Sequence, residues 1–187
     1  MILIVDTSSN LQYLSLVDES NNQLIDSYEQ VSKNDHSSSL LVNIDKLLNK
    51  NNLKVKQITK IVCGIGPGSY TGTRVGLTIC KSLAYSLNID LHYVSSLILL
   101  SSGYEGNVLV KFDAKRNNYF SVLYNNNNIL LEEKNRYIDD LNNEVKEYDN
   151  YIVCDETNIK INHKVILNNT KKAENLHTLS PNYLKEV

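Results

Sequence analysis

The sequence predicts an α/β protein built on a mixed sheet, since short apolar runs alternate with helical stripes over its first hundred residues. Three runs with strand character open the chain at residues 2–5, 11–17 and 23–28. Turn-forming residues at 18–22 separate the second run from the third, so these runs predict an antiparallel meander. The first run is apolar throughout, which is typical of a strand that is buried on both faces.

Helices and further strands alternate after the meander. A first helix is predicted from one apolar face, which is formed by Leu40, Ile44, Leu47 and Leu48. Asn34 or Asp35 is expected to cap its start. Strands are predicted at 58–63 and 91–94, with a helix at 73–87 between them and a short helix capped by Ser95 or Ser96 after them. The stripe of the middle helix is the clearest in the chain: Gly76, Ile79, Cys80, Leu83, Ala84 and Leu87. The predicted order is therefore βββαβαβα.

A smaller second lobe is predicted from residue 105 to 187, after a first lobe over residues 1–104. Strands are expected at 107–113, 119–124, 150–154 and 164–167, with a turn at 125–128. The charged stretch 131–148 is interpreted as a surface helix. No internal repeat is evident in the sequence.

Composition narrows the class of protein. The chain has 187 residues, 42% of them apolar, with a net charge of −2 and a pI of about 6.1. No global basic field draws such a chain to nucleic acid. The first residues carry no basic leader, and no apolar run reaches the roughly 20 residues of a membrane span, so we expect a cytoplasmic protein. The three scattered cysteines predict neither a disulfide framework nor a metal site.

Glycine is concentrated in one segment. Five of the seven glycines lie within thirteen residues, at the junction of a predicted strand and a predicted helix: Gly64, Gly66, Gly68, Gly72 and Gly76. Such clustering indicates unusual backbone dihedral angles or a close approach of other atoms. A helix N-terminus also attracts anions, and Ser69, Thr71, Thr73 and Arg74 add donors.

The known phosphate-binding patterns do not match this segment. It lacks the Gly-Lys-Ser/Thr of a P-loop, and its glycine spacing differs from G-x-G-x-x-G. The residues therefore leave two readings open, a vestigial phosphate loop and a tight structural turn. Gly76 is separate, because its place on the helical stripe predicts close helix packing within the chain or across a dimer. Asp6, Thr7 and Ser8, after the first strand, are candidates for the same vestigial site or for a capped hairpin turn.

The segment GIGPGSYTGTRVGLTICKSLAYSLNIDLHYVSSL resembles the signature of the TsaB (YeaZ) family. MILIVDTSS at the start, His36-Ser37-Ser38 with Leu40, Asp113-Ala114-Lys115-Arg116 with Tyr119, and Pro181-Asn182-Tyr183-Leu184-Lys185 resemble other family segments in the same order. Lys115 and Lys185 stand where the family usually has Arg. The resemblance covers nearly the whole chain, although the chain is shorter than most members.

The resemblance implies an actin-like ATPase fold whose first lobe is ribonuclease-H-like and whose second lobe is reduced. It also implies a subunit that pairs with TsaD, the transferase that forms threonylcarbamoyladenosine (t6A) beside the tRNA anticodon, with the ATPase TsaE in a larger complex. A homodimer when the chain is alone, indirect contact with tRNA and no membrane association complete the expectation. The implied partner surface is formed by the first-lobe helices, with these candidates: His36, Leu40, Leu41, Ile44, Leu48, Gly76, Ile79, Cys80 and Leu83.

A catalytic role is not expected. TsaD holds a metal with two histidines one helical turn apart, and by position these fall on Ser96 and Leu100 here. None of the four histidines has another within a helical turn. We therefore predict no catalytic residue, no metal and no cofactor. The alternatives are an ATPase or sugar-kinase-like enzyme of the same fold and a stand-alone homodimer with a glycoprotease-like role.

Nine residues are the candidates for a vestigial phosphate loop. They are Asp6, Thr7, Ser8, Gly66, Gly68, Ser69, Thr71, Gly72 and Arg74.

Overall fold

Two sheets and five helices form the protein in a computed structural model, which describes residues 1–31, 36–126 and 128–184, without the side chains of residues 36–38. The first half contains β1 (Ile2–Asp6), β2 (Leu11–Asp18), β3 (Gln23–Val31), α1 (His36–Lys50), β4 (Lys60–Gly64), α2 (Tyr70–Leu87), β5 (Asp90–Val94) and α3 (Ser96–Ser101). This order confirms the predicted βββαβαβα arrangement. The predicted cap of the first helix, at Asn34 or Asp35, lies outside the described residues.

The second half contains β6 (Asn107–Lys115), β7 (Asn118–Asn125), β8 (Asn128–Tyr137), α4 (Ile138–Glu144), β9 (Tyr151–Cys154), α5 (His163–Asn168) and β10 (Lys171–Lys172). Two sequence predictions are wrong here. The stretch 164–167 lies in α5 and not in a strand, and the stretch 131–148 begins as the end of β8 and becomes helical only at Ile138. Strand β8 lies at the edge of its sheet, and its charged residues Glu132 and Lys134 are exposed, so its sequence resembles that of a solvated helix.

The first sheet has the order β10-β5-β4-β1-β2-β3. β1 pairs antiparallel with β2 and parallel with β4, and β4 pairs parallel with β5, so the sheet is mixed as predicted. The second sheet has the order β8-β7-β6-β9, in which β6 again pairs antiparallel with the next strand and parallel with the one after the helix. This is a two-sheet α/β fold whose first sheet has the ribonuclease-H-like arrangement.

Period-two alternation sorts the apolar side chains into layers. Leu3 and Val5 of β1 face α1 and α2, whereas Ile2 and Ile4 face the other side of the sheet. That other side shares one core with α3, α5 and the near face of the second sheet. The far face of the second sheet packs under α4. Strand β1 is therefore covered on both faces, which explains its uninterrupted apolar run.

The shared core bears on the predicted boundary at residue 104. That boundary falls between the two sheets, but the core between them draws residues from both sides, and β10 returns to pair with β5 of the first sheet. The division into folding units 1–104 and 105–187 stays a prediction.

The cysteines and the helices complete the description. Cys63, Cys80 and Cys154 are free and buried. Burial raises the pKa of the Cys154 thiol to about 12. Among the described residues, no helix combines the length and apolar character that crossing a bilayer requires.

Candidate functional site

The glycine-rich loop joins the end of β4 to the start of α2 and lies against the turn that follows β1. Its Gly66–Pro67 peptide bond is cis. Helix α2 begins at Tyr70, one turn before the predicted start, because Ser69 caps it. The Ser69 hydroxyl accepts a hydrogen bond from the Gly72 amide at 3.2 Å, which satisfies one of the free N–H groups of the helix end. The chain therefore fills part of its own anion-binding position.

Asp6 is the central carboxylate of the site and is fully buried. Its Oδ1 accepts hydrogen bonds from the Ser8 amide at 2.9 Å and the Ser8 hydroxyl at 2.8 Å. Its Oδ2 accepts from the Ser96 hydroxyl at 2.6 Å, and Ser96 Oγ in turn accepts from the Gly66 amide at 2.9 Å. The carboxylate thus connects the end of β1 to the start of α3 and, through Ser96, to the loop.

A glycine opposite this carboxylate is a steric requirement. A Cβ atom at Gly64 would lie 1.8 Å from Asp6 Oδ2. Real Cβ atoms do not approach an oxygen this closely, so any larger residue at position 64 would displace Asp6 from its serine donors.

The turn residues after Asp6 leave no room for a Cβ atom at three further glycines. A Cβ atom would lie 2.2 Å from the Ser8 carbonyl oxygen at Gly68 and 2.1 Å from the Thr7 carbonyl oxygen at Gly72. At Gly76 it would lie 2.3 Å from Thr7 Oγ1, which donates to the Gly72 carbonyl oxygen at 2.8 Å. The glycines therefore receive the chain's own hairpin turn, and in the described structure protein atoms occupy the space beside the loop.

Gly76 requires a correction. Its helical stripe predicts close packing of one helix on another, within the chain or across a dimer. The structure instead places it against the Thr7 side chain, and Gly76 is buried. The small residue allows α2 to approach the end of β1 rather than a second helix.

Most of the predicted loop candidates come together. Asp6, Thr7, Ser8, Gly66, Gly68, Ser69 and Gly72 form one contact network. Thr71 and Arg74 do not take part in it: both are exposed on the outer side of α2.

Arg74 belongs to an aromatic cluster instead. Its guanidinium lies 4.0 Å from the centre of the Tyr70 ring and 5.6 Å from that of Tyr183, and its Nε donates to the Tyr183 hydroxyl at 2.5 Å. Tyr183 comes from the C-terminal segment. The positive charge that the sequence predicts at the loop is therefore engaged with two tyrosine side chains.

The C-terminal segment also brings the second sheet to the loop. The Asn182 amide donates to the Ile65 carbonyl oxygen at 2.8 Å, and its side-chain amide donates to Glu133 Oε1 at 2.7 Å. Glu133 lies on β8 and also accepts a hydrogen bond from the Ser95 hydroxyl. Burial raises the pKa of Glu133, and the hydrogen bonds from Ser95 and Asn182 partly oppose that rise.

Sequence reasoning misses the role of Glu133. The charged stretch around it predicts a helix, and nothing local distinguishes this glutamate from its exposed neighbours. Asn182 and Tyr183 stand out in the sequence only as part of a terminal motif. Their contacts with the loop span more than a hundred residues of sequence, and no short pattern could have shown them.

Ser96 and Leu100, the positions on which the metal-binding histidines of TsaD fall, are both buried and make other contacts. Ser96 donates to Asp6, and Leu100 packs in the core between the sheets. Within the described ranges, no three His, Cys, Asp or Glu side chains lie close enough together to hold a metal ion.

The predicted partner residues divide into two groups. Leu40, Ile44, Leu48, Gly76 and Cys80 are buried within the chain, so the structure corrects their placement on a partner surface. Leu41 is 53% exposed, and Ile79 and Leu83 are partly buried. The side chain of His36 lies outside the described residues.

The sequence of the chain is similar to those of known proteins. A family model described as TsaD, tRNA N6-adenosine threonylcarbamoyltransferase, matches residues 22–174. The chain is 37% identical over 135 residues to the tRNA threonylcarbamoyladenosine biosynthesis protein TsaB of Bacillus subtilis. The matched segment covers 71% of this chain and 58% of the relative. It is 29% identical over 126 residues to TsaB of Haemophilus influenzae, covering 64% and 52%. The chain thus spans only a little over half the length of these two relatives.

Solved structures agree on the fold. A Pseudomonas aeruginosa protein described as similar to peptidase YEAZ superposes with a TM-score of 0.79 at 19% identity, over 98% of this chain and 99% of the other. YeaZ from Pseudomonas aeruginosa superposes with a TM-score of 0.62 at 24% identity, over 72% and 65%. These structural matches concern the fold. The family model and the TsaB relatives show that the chain belongs to the TsaB family, within the wider group that the TsaD model describes.

Proposed function

We propose that this chain is a non-catalytic subunit needed for formation of t6A in tRNA and that it acts by pairing with TsaD. The observation that carries the proposal is that, in this member of the TsaB family, the chain's own atoms occupy the space beside the glycine-rich loop. The space beside the glycines is taken by the chain's own Thr7 and Ser8. A subunit of this kind contributes a surface rather than a reaction.

The state of the Asp6 carboxylate supports a non-catalytic role. Both of its oxygens already accept hydrogen bonds from serine residues of the chain. A carboxylate that positions a metal or a phosphate group has to present an oxygen to the ligand. Neither Ser96 nor Leu100 supplies an imidazole where the transferase would have one.

The partner surface is proposed on the outer side of α1 and α2. These helices pack side by side on the first sheet through their buried residues. Leu41 and Val42 of α1 remain 53% and 50% exposed, and Ile79 and Leu83 of α2 are only partly covered. Adjacent exposed apolar residues on α1 provide the area that a helix-mediated pair would bury.

Contact with tRNA is proposed to be indirect. A chain with a net charge of −2 has no excess of cations with which to neutralise a phosphate backbone. TsaD would bind the tRNA and catalyse the reaction, and TsaE would join the pair in a larger complex.

Reconstitution tests the proposal. Purified chain mixed with TsaD should co-elute in size-exclusion chromatography, and t6A formation on tRNA by TsaD and TsaE, supplied with a threonylcarbamoyl donor, should fall to background without it. Full activity of TsaD in the absence of this chain contradicts the proposal. ATP turnover by the isolated chain, lost in Asp6→Ala, supports the enzymatic alternative instead. A tight homodimer that TsaD does not displace supports the stand-alone alternative.

A pair of matched variants locates the surface. Leu41→Asp places a charge on α1 and should weaken the TsaD complex about tenfold or more, because an interface must then desolvate an unpaired carboxylate. Ile129→Asp is the control, since Ile129 has nearly the same exposure, 54%, but lies on the second sheet. Equal effects of the two variants would place the interface elsewhere.

A further inference from the structure

The C-terminal segment, residues 173–184, lies against α2 and has no helix or strand of its own. Partly buried residues recur at every third position, at Ala173, Leu176, Leu179 and Asn182, and the residues between them are mostly exposed. The three apolar members of this series pack against the core beneath α1 and α2. The segment therefore has an inner side that lies on the protein and an outer side that faces solvent.

The contacts of the segment with α2 extend from the first turn of the helix to the last. The Lys81 ammonium donates a hydrogen bond to the Leu179 carbonyl oxygen at 2.6 Å. The ring centres of Tyr85 and His177 are 6.3 Å apart. Four α2 residues on one face of the helix contact the segment: Tyr70, Arg74, Lys81 and Tyr85.

Two backbone hydrogen bonds hold the ends of the segment. The Ala173 amide donates to the Leu91 carbonyl oxygen at 2.9 Å, and the Asn182 amide donates to the Ile65 carbonyl oxygen at 2.8 Å. The Asn182 carbonyl oxygen also lies 2.8 Å from the position that a Cβ atom would take at Gly66. The segment therefore covers part of the glycine-rich loop as well as one side of α2.

The type of attachment indicates how the segment would detach. Partly buried side chains and single hydrogen bonds hold it, and a region attached in this way opens at a lower free energy than the strands of a core. Each contact also keeps the next one at a high effective concentration, so the loss of one weakens the others. We therefore expect the contacts to be lost together.

We propose that residues 173–184 form a lid that opens and closes as one unit over the glycine-rich loop and the adjacent side of α2. Opening frees the Arg74 guanidinium from the Tyr183 hydroxyl and uncovers the loop. It also breaks the hydrogen bond between Asn182 and Glu133, so the same event removes a connection between the loop and the second sheet.

Amide hydrogen exchange of the full chain tests the lid. The Ala173 and Asn182 amides lie at opposite ends of the segment, and both donate to carbonyl oxygens outside it. Opening as one unit gives the two amides the same free energy of opening, and that value is lower than the value for amides in the middle of β1.

Variants of the residues that hold the lid sharpen the test. Lys81→Met removes the hydrogen bond to Leu179 and should speed exchange of both end amides about tenfold, because a bond from a charged donor is lost. Tyr183→Phe removes the hydroxyl that accepts from Arg74 and should speed both amides to a smaller extent.

Lys111→Met is the matched control. Lys111 is partly buried like Lys81, and it lies over the ring of Tyr119 on the second sheet, 5.6 Å from the ring centre. This variant should leave the exchange of both end amides unchanged.

Other results overturn the inference. Different free energies of opening for the Ala173 and Asn182 amides would show that the ends open independently, and so would a variant that speeds only the nearer amide. Wild-type exchange in Lys81→Met would show that this contact does not hold the segment. Equal acceleration of the β1 amides would mean that the variants lower global stability and that no separate lid exists.

Discussion

Four strands of the first sheet have the same order as the four strands of the second sheet, and the two halves differ in the connection that follows. In each, a three-stranded meander is followed by a helix and then by a strand parallel to the first, giving β3-β2-β1-β4 in one and β8-β7-β6-β9 in the other. At the end of β1 the chain is buried, and Asp6 is held by serine residues. At the end of β6 the chain is exposed, and Asp113 pairs with Lys115 in solvent. The same topology therefore supports a closed network at one strand end and an open hairpin at the other.

The connection after the parallel strand accounts for the difference. β4 leads through the glycine-rich loop into α2, which has 18 residues, whereas β9 leads into a longer link and then α5, which has 6 residues. Glycines let the first connection approach the end of β1 closely enough for hydrogen bonding. The second connection has no glycine between Cys154 and His163. The strand order is therefore repeated in the second sheet, whereas the glycine-rich loop and its contacts are not.

The largest expected effect comes from filling the contact between the loop and the first strand. Gly72→Ala should lower the free energy of unfolding by about 3 kcal/mol, because its Cβ would lie 2.1 Å from the Thr7 carbonyl oxygen and the backbone must move. Gly106→Ala is the matched control between the sheets. It has a φ of 81° but no atom within 4 Å of the added Cβ, so only the backbone cost of about 1 kcal/mol is expected. Chemical denaturation measures both, and similar losses would show that crowding at the loop is not what distinguishes the first sheet.

A smaller effect is expected from removing the two corresponding carboxylates. Asp6→Ala should cost about 2 kcal/mol, because it leaves the buried donors of Ser8 and Ser96 unpaired. Asp113→Ala should cost about 0.5 kcal/mol, because its partner Lys115 is solvated. Urea unfolding of the two variants gives the comparison directly. If Asp113→Ala were the more damaging, the contrast between a buried and an open strand end would be wrong.

The smallest effect concerns Glu133, which connects the second sheet to the loop. Its pKa is raised above the ordinary value of 4.5 by burial, so the folded state binds its proton more tightly than the unfolded state does. The resulting contribution to stability is present at pH values below 4.5 and is lost as pH rises through the raised pKa. Glu133→Gln does not titrate and can keep both hydrogen-bond partners. We therefore expect the stability of this variant, relative to wild type, to improve between about pH 4 and pH 7.

Unfolding midpoints measured across that pH range check the Glu133 prediction. Asp45 on α1 offers a control, because Asp45→Asn replaces an exposed carboxylate whose hydrogen bond comes from Asn49 in the same helix. A stability difference that stays constant with pH for Glu133→Gln would mean that burial does not govern this carboxylate.

Predictability differs between the halves of the chain for a physical reason. Strands β1, β2 and β4 and helices α1 and α2 follow from apolar periodicity, which is strong because these elements are covered by a core. Strand β8 is not predicted because it is an edge strand with exposed charged residues, Glu132 and Lys134. Helix α5 resembles a strand because the apolar run 164–167 is too short to distinguish a helical period from a strand period. Short, half-covered elements carry little periodic signal.

The loop shows how far the sequence determines the site. Glycine clustering indicates that something approaches the segment closely, and the hydroxyl and acidic residues near it are identified as its companions. Two readings stay open at that level, a phosphate cradle and a structural turn. Atoms of Thr7 and Ser8 lie within 2.3 Å of the positions that Cβ atoms would take at Gly68, Gly72 and Gly76, which favours the turn. Spacing in sequence does not contain that fact.

The amino-acid sequence by itself determined the first-lobe strand and helix order, the family resemblance and the position of the loop, because these depend on local periodicity and on short motifs. Only the tertiary structure decided what lies against the loop, which apolar residues remain on the surface and which carboxylates are buried. The Asp6–Ser96 and Asn182–Glu133 contacts join residues that are 90 and 49 positions apart. Such contacts arise when packed layers exclude water between distant segments, so they depend on the whole fold rather than on any one stretch of it.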